Sequence, residues 1–276
     1  MKTTIAGGFA LFAASLAAGA AAAATPVKLA PHRAVYDLTL LSSSGSRGVD
    51  SAKGRIAFDF TGDACEGYAL SFRQVTVLQS GEIGERVSDL RTTSFEDGSG
   101  SSYKFKSESR FGTGATKQID GEADRRSDGT VGVRLAKPKR DRLSVASDVL
   151  FPTAHMRKLI EAARAGETLL TARVYDGSDD GRKVFDTLAV IGRRIEGKTD
   201  LLEQVARKSD LDKLARWPVK ISYFTPGEGE RTPLYVMSFE LFDNGISRDL
   251  TLDYGDFTLK GEMKQLDVLP ASSCKR

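Results

Sequence analysis

Ala34-Val35-Tyr36-Asp37-Leu38-Thr39-Leu40 alternates apolar and polar residues, the period of a half-buried β-strand whose side chains point to opposite faces in turn. The same pattern recurs on both sides of it. Arg55 to Phe60, Tyr68 to Gln79, Arg86 to Phe95, Ser102 to Arg110, Thr116 to Ala123 and Val131 to Leu135 follow, with Asp97-Gly98 and Asp128-Gly129 as turn signals. Near the end come Val219 to Phe224, Leu234 to Phe242, Ile246 to Asp253 and Phe257 to Leu269. Between the second and third of these, Asp243-Asn244-Gly245 predicts a hairpin turn, because Asn and Gly tolerate positive φ at low cost.

One segment breaks the period. Residues 152–165 place Met156, Leu159, Ile160 and Ala163 at helical spacing, with Arg157, Lys158, Glu161 and Arg164 turned away. Pro152 suits a first helical turn and Gly166 a left-handed exit, so an amphipathic helix of about four turns is expected. A weaker helix, or an exposed loop with helical tendency, is expected within residues 199–216. A parallel α/β sheet needs a crossover after nearly every strand, and one good helix cannot supply them. The expected fold is therefore all-β and mainly antiparallel: a curled, barrel-like or spiral sheet around one amphipathic helix, in a single domain over residues 25–276.

Residues 1–24 have the organisation of a cleavable secretory signal: Lys2, an apolar run from Ile5 to Ala18, and small residues from Gly19 to Ala24. Cleavage near Ala24 leaves an expected periplasmic or secreted protein that does not span the membrane. The chain has two cysteines, Cys65 and Cys274. In an oxidising compartment a sparse, even count points to a structural disulfide, here closing a loop of about 210 residues; the alternative is a pair of unpaired buried thiols.

The formal charge is +3, from 40 Lys and Arg against 37 Asp and Glu, with both signs interspersed. That excludes the concentrated basic face of a nucleic-acid binder. The densest basic run, Lys137-Pro138-Lys139-Arg140-Asp141-Arg142, reads first as a solvated loop and second as a contact for an anionic surface. Catalytic patterns are sparse. His32 and His155 are the two histidines; His32 is expected to be exposed, and His155, early in the helix, to pack or cap rather than act as a base. Two histidines and two distant cysteines lack the spacing of a zinc site. Asp176-Gly177-Ser178-Asp179-Asp180-Gly181 resembles a calcium loop, but Thr187 stands where an EF-hand needs Glu, so a hairpin turn between residues 172–175 and 184–188 is expected. No catalytic, cofactor or metal residues are assigned.

Several segments together carry a resemblance: His32-Arg33-Ala34-Val35-Tyr36-Asp37-Leu38, Gly62-Asp63-Ala64-Cys65-Glu66-Gly67-Tyr68, Phe151-Pro152-Thr153-Ala154-His155, Val174-Tyr175-Asp176-Gly177-Ser178, Leu188-Ala189-Val190-Ile191-Gly192, Trp217-Pro218-Val219 and Leu252-Asp253-Tyr254-Gly255-Asp256-Phe257. The mature chain resembles the EipB family of periplasmic cell envelope integrity proteins of alphaproteobacteria. The resemblance implies a monomeric β-spiral domain, a disulfide whose positions Cys65 and Cys274 match, a role in envelope stress resistance, and a periplasmic tetratricopeptide-repeat partner. It implies no enzyme activity and no cofactor. The residues themselves leave a second function open, a carrier or sensor holding a lipid or peptidoglycan fragment in an apolar groove of the curved sheet. A hydrolase of peptidoglycan or glycan is the third and weakest expectation, since nothing singles out a carboxylate pair.

Overall fold

The computed structural model describes residues 25–44, 48–81, 84–197 and 202–271. The signal segment and Cys274 lie outside the described residues. The first run of strands is a meander: β1 (His32–Ser43), β2 (Ser51–Asp63), β3 (Gly67–Ser80), β4 (Gly84–Glu96), β5 (Ser102–Phe111), β6 (Lys117–Arg125), β7 (Val131–Lys137) and β8 (Asp141–Val145). Each is antiparallel to the one before it. The second run is β9 (Val149–Leu150), helix α1 (Pro152–Arg164), β10 (Leu169–Val174), β11 (Phe185–Ile191), helix α2 (Gln204–Lys208), β12 (Arg216–Phe224), β13 (Tyr235–Phe242), β14 (Ser247–Asp253) and β15 (Phe257–Val268). β15 pairs with β1 along its length, which joins the two runs. Among the described residues the fifteen strands make one sheet, with β8 and β9 at its two edges and β9–β10 as its parallel pair.

Those edges are three residues apart in the chain, so the sheet has to curl until its ends meet. The seam is held by polar contacts. The Arg125 guanidinium donates to the carbonyls of Ser147 and Val149, both at 2.6 Å, and Tyr103 Oη donates to the carbonyl of Asp176 at 3.1 Å. A cluster of Tyr103, Phe105, Val131, Val133, Phe151 and Tyr175 fills the space behind the seam. The result is a nearly closed barrel, a solution to the edge-strand problem that leaves only short edges exposed.

The larger core lies on the concave face under α1, which buries Leu159, Ile160, Ala162 and Ala163 against the sheet. The helix starts in one core and runs into the other, since Phe151, its N-terminal flank, stacks on Tyr103 at 5.2 Å. Gly166 takes the left-handed exit at φ +78°, as its position predicted. Gly245, at φ +86°, makes the β13–β14 turn.

Of the two readings of residues 199–216 the helix is the one present: α2 is followed by a 3-10 turn at Leu211–Lys213, and among the described residues of the segment Leu202, Ala206 and Leu211 are buried. Its few apolar residues suffice because all of these face the core, and ion pairs secure the rest. The basic run is solvated as expected: Lys137 ends β7, Asp141 begins the edge strand β8, and Pro138, Lys139 and Arg140 form the exposed turn between them. The expected hairpin between residues 172–175 and 184–188 is present as the β10–β11 pair.

Candidate functional site

Register decides which side chains line the barrel. Directly opposed residues in neighbouring strands share a face, so the buried Tyr36 of β1 places Ile56 of β2 and Gln74 of β3 inside with it. At one end of the barrel the concave face meets α1, and there a cleft of about 160 Å³ opens between the helix and the sheet. Phe58, Phe60, Tyr68 and Leu70 form its floor, Pro152 and Met156 its roof, and His32 one wall. His32 and Tyr68 come from the first two resembling segments and Pro152 from the third, so segments far apart in sequence meet here.

His32 is buried, against the expectation of exposure. It lies two residues before Ala34 on an inward-facing parity, and its ring stacks on Phe58 with centroids 5.2 Å apart. Nδ1 lies 2.8 Å from the carbonyl of Ala30 and donates to it, which leaves Nε2 as an acceptor. Burial lowers the His32 pKa; the Ala30 bond and the charge of Asp59 pull the other way and are smaller. The imidazole is therefore neutral at pH 7. His155, on the helix, is also buried, and burial first and Lys158 second lower its pKa to about 4. Its Nε2 is the one buried side-chain polar atom without a partner among the described residues. A neutral ring packed this way fits the expected packing role.

Nothing in the sequence points to Glu96. Phe151, at the N-cap position, offers no side-chain acceptor, and α1 instead takes its cap from the end of β4: Glu96 accepts from the backbone N–H of Thr153 at 2.7 Å and of Ala154 at 2.8 Å. Burial raises the Glu96 pKa and outweighs these two bonds, which act in the opposite direction. Arg157 adds a bond to the carbonyl of Gly98 at 2.9 Å. The helix end at the cleft is thus held by charge and backbone together.

The other end of α1 is tied by Arg164, whose guanidinium meets both carboxylate oxygens of Asp243 at 2.7 and 3.0 Å. Beside it, Glu240 and Glu203 bind Arg248, and Glu240 also binds Arg216 at 3.0 Å. This buried chain of charges fixes α2 to the sheet.

The Asp176 loop lies over the smaller core, with Gly177 against the ring of Phe105 and Gly181 against Leu135. Asp176 accepts from Ser178 N–H at 2.9 Å, and burial raises its pKa. Among the described residues no three His, Cys, Asp or Glu side chains gather as a cation site. Cys65 sits in the β2–β3 turn, where Asp63 accepts from its N–H at 2.7 Å.

This geometry has relatives. The model of the EipB-like family matches residues 23–270. The chain belongs to that family. It is 40% identical over 252 residues to the cell envelope integrity protein EipB of Brucella abortus (strain 2308), covering 91% of this chain and 88% of the relative. A crystal structure of a beta-barrel-like protein of a domain of unknown function from Brucella abortus has a TM-score of 0.81 and 38% identity, covering 88% of this chain and all of that one. The curled, nearly closed sheet is therefore shared with that barrel-like relative.

Proposed function

We propose that this EipB-like chain is a non-catalytic periplasmic protein that supports envelope integrity by binding a periplasmic tetratricopeptide-repeat protein. The observation that carries the reading is homology over nearly the whole length to a cell envelope integrity protein, with the same barrel. Export by the 1–24 segment and a Cys65–Cys274 bridge belong to the same proposal. The barrel register supports the bridge: Val268 and Phe60 are both opposite His32, so the end of β15 lies two strands, about 10 Å, from the strand that leads to Cys65. Cys274 is six positions beyond Val268, a reach of about 20 Å when extended. Co-purification of the mature chain with a purified periplasmic tetratricopeptide-repeat protein, under non-reducing conditions, tests the partner. Failure of every such repeat protein of the same organism to bind refutes it.

The cleft favours a second reading, a carrier or sensor of a lipid or peptidoglycan fragment. Its lining is mostly apolar, and its volume resembles that of a cavity that takes one aromatic ring. Native mass spectrometry after exposure to envelope lipids tests this, and a bare-chain mass throughout counts against it.

A further inference from the structure

The end of the barrel opposite α1 and α2 departs from the usual rule for a β-core. Besides Leu78 and Leu90, the concave face of β3–β5 there carries by register Gln74, Ser88, Thr92, Ser107 and Ser109. A packed interior would place apolar residues at these positions. They are polar and half-buried rather than sealed. Thr92 Oγ1 and Ser107 Oγ lie 3.4 Å apart. No side-chain oxygen of these five residues is a buried atom without a partner, so the hydroxyls not bonded to protein reach water.

The facing wall is aromatic. Tyr223, Tyr235 and Tyr254 form a continuous row, with successive centroids 5.9 and 5.2 Å apart, from the end of β12 to the β14–β15 turn. Tyr254 Oη accepts from Gln74 Nε2 at 3.0 Å, which ties the two walls together across strands that are not neighbours in the sheet. Tyr254 is 37% exposed, so this ring is open at the rim.

We propose that this mouth binds a neutral oligosaccharide. A sugar ring presents a C–H face, which packs on an aromatic ring, and an edge of hydroxyls, which pair with side chains that both donate and accept. The two walls supply these two surfaces. The five polar positions carry no charge; the cations that share their face, Arg86 opposite Leu78 and Lys117 opposite Ser109, stand exposed at the rim, so the wall itself suits a neutral ligand. The proposal rests on the second reading, that the concave side holds an envelope component, and assigns the sugar to the mouth rather than to the cleft under α1. The two can fail separately: lipid uptake probes the cleft, and sugar binding probes the mouth.

Saturation-transfer NMR of the mature chain with chitotetraose and with maltotetraose tests it. Transfer to at least one of them is expected, with affinity weakened about tenfold or more in Tyr254→Ala and in Gln74→Leu. Ser109→Trp, which fills the mouth from the other wall, should also abolish transfer, while Met156→Trp, which fills the cleft, should leave it intact. Circular dichroism confirms that each variant is folded. No transfer to either sugar from the wild type overturns the proposal, as does equal transfer from folded Tyr254→Ala and Gln74→Leu.

Discussion

Replacing His155 by Leu should remove a defined part of the protein's acid sensitivity. The ring is buried, its Nε2 has no partner, and its pKa in the fold is lowered to about 4 from 6.5. The unfolded chain therefore takes up a proton that the folded chain refuses, and stability from this group is complete above about pH 6.5 and lost as pH falls towards about 4. The full span corresponds to about 3 kcal/mol. Between about pH 7.5 and about pH 5 the linkage relation gives a loss of about 2 kcal/mol. His32, also lowered, adds loss of the same sign. Glu96 works in the other direction, since its folded pKa is raised and its contribution is lost as pH rises. Both are common to wild type and variant and cancel in the difference. Urea unfolding of wild type and His155→Leu at the two pH values measures that difference. The variant should lose about 2 kcal/mol less than wild type on acidification, and at neutral pH should be more stable by about 1 kcal/mol because the orphan nitrogen is gone. Equal pH dependence in the two proteins would refute the assignment.

Three further perturbations test the devices that hold the fold. Glu96→Ala strands two N–H groups at the start of α1 and should cost about 2 to 4 kcal/mol in urea unfolding, with faster hydrogen exchange at Thr153 and Ala154; exchange unchanged there would mean that the helix finds another cap. Arg248→Met leaves Glu203 and Glu240 without their shared cation and should cost about 3 to 5 kcal/mol, read as a lower urea midpoint and proteolysis within the α2 segment. Cys65→Ser should lower the melting temperature and increase proteolysis while keeping the β signature in circular dichroism, since a loop of about 210 residues contributes up to about 5 kcal/mol when closed. An unchanged melting temperature would remove the bridge.

Local periodicity carried the strands because each is long enough to show its parity. Ala34 to Leu40 and Leu234 to Phe242 could be read without their neighbours. β8 and β9 could not: the first begins inside the basic run and the second has only two residues. His32 was legible in principle, since it shares even parity with Ala34, Tyr36 and Leu38, but its place before the strand suggested solvent. Glu96 was not legible. Its role depends on β4 ending beside a helix whose Thr153 lies 57 residues later, while its own context, Phe95-Glu96-Asp97-Gly98, looks like an ordinary turn. The polar concave wall was hidden for a different reason. Gln74 and Thr76 continue the parity of Tyr68, Leu70 and Phe72, and only pairing with β2 shows that the parity stays inward when its chemistry changes.

The distribution of these devices bears on function. The Glu96 cap, the Arg164–Asp243 pair, the Arg216–Glu240–Arg248–Glu203 chain and the turn with Cys65 all lie at the end of the barrel that holds α1 and α2. The opposite end is bounded by strand pairing and by the aromatic row, and its rim is open at Tyr254. A curled sheet whose stabilising contacts gather at one end can keep polar groups on its concave face at the other, because the desolvation cost of those groups is avoided by leaving them wet. Substitutions at the mouth should then change stability less than equally conservative changes near α1. Comparing melting temperatures of Ser107→Ala and Thr92→Val with that of Leu159→Ala checks this: the first two should shift by no more than a few degrees, the last by about 2 to 5 kcal/mol of stability. If the mouth variants proved as damaging as the core variant, the polar wall would be part of a sealed interior, and the case for a ligand there would fall with it.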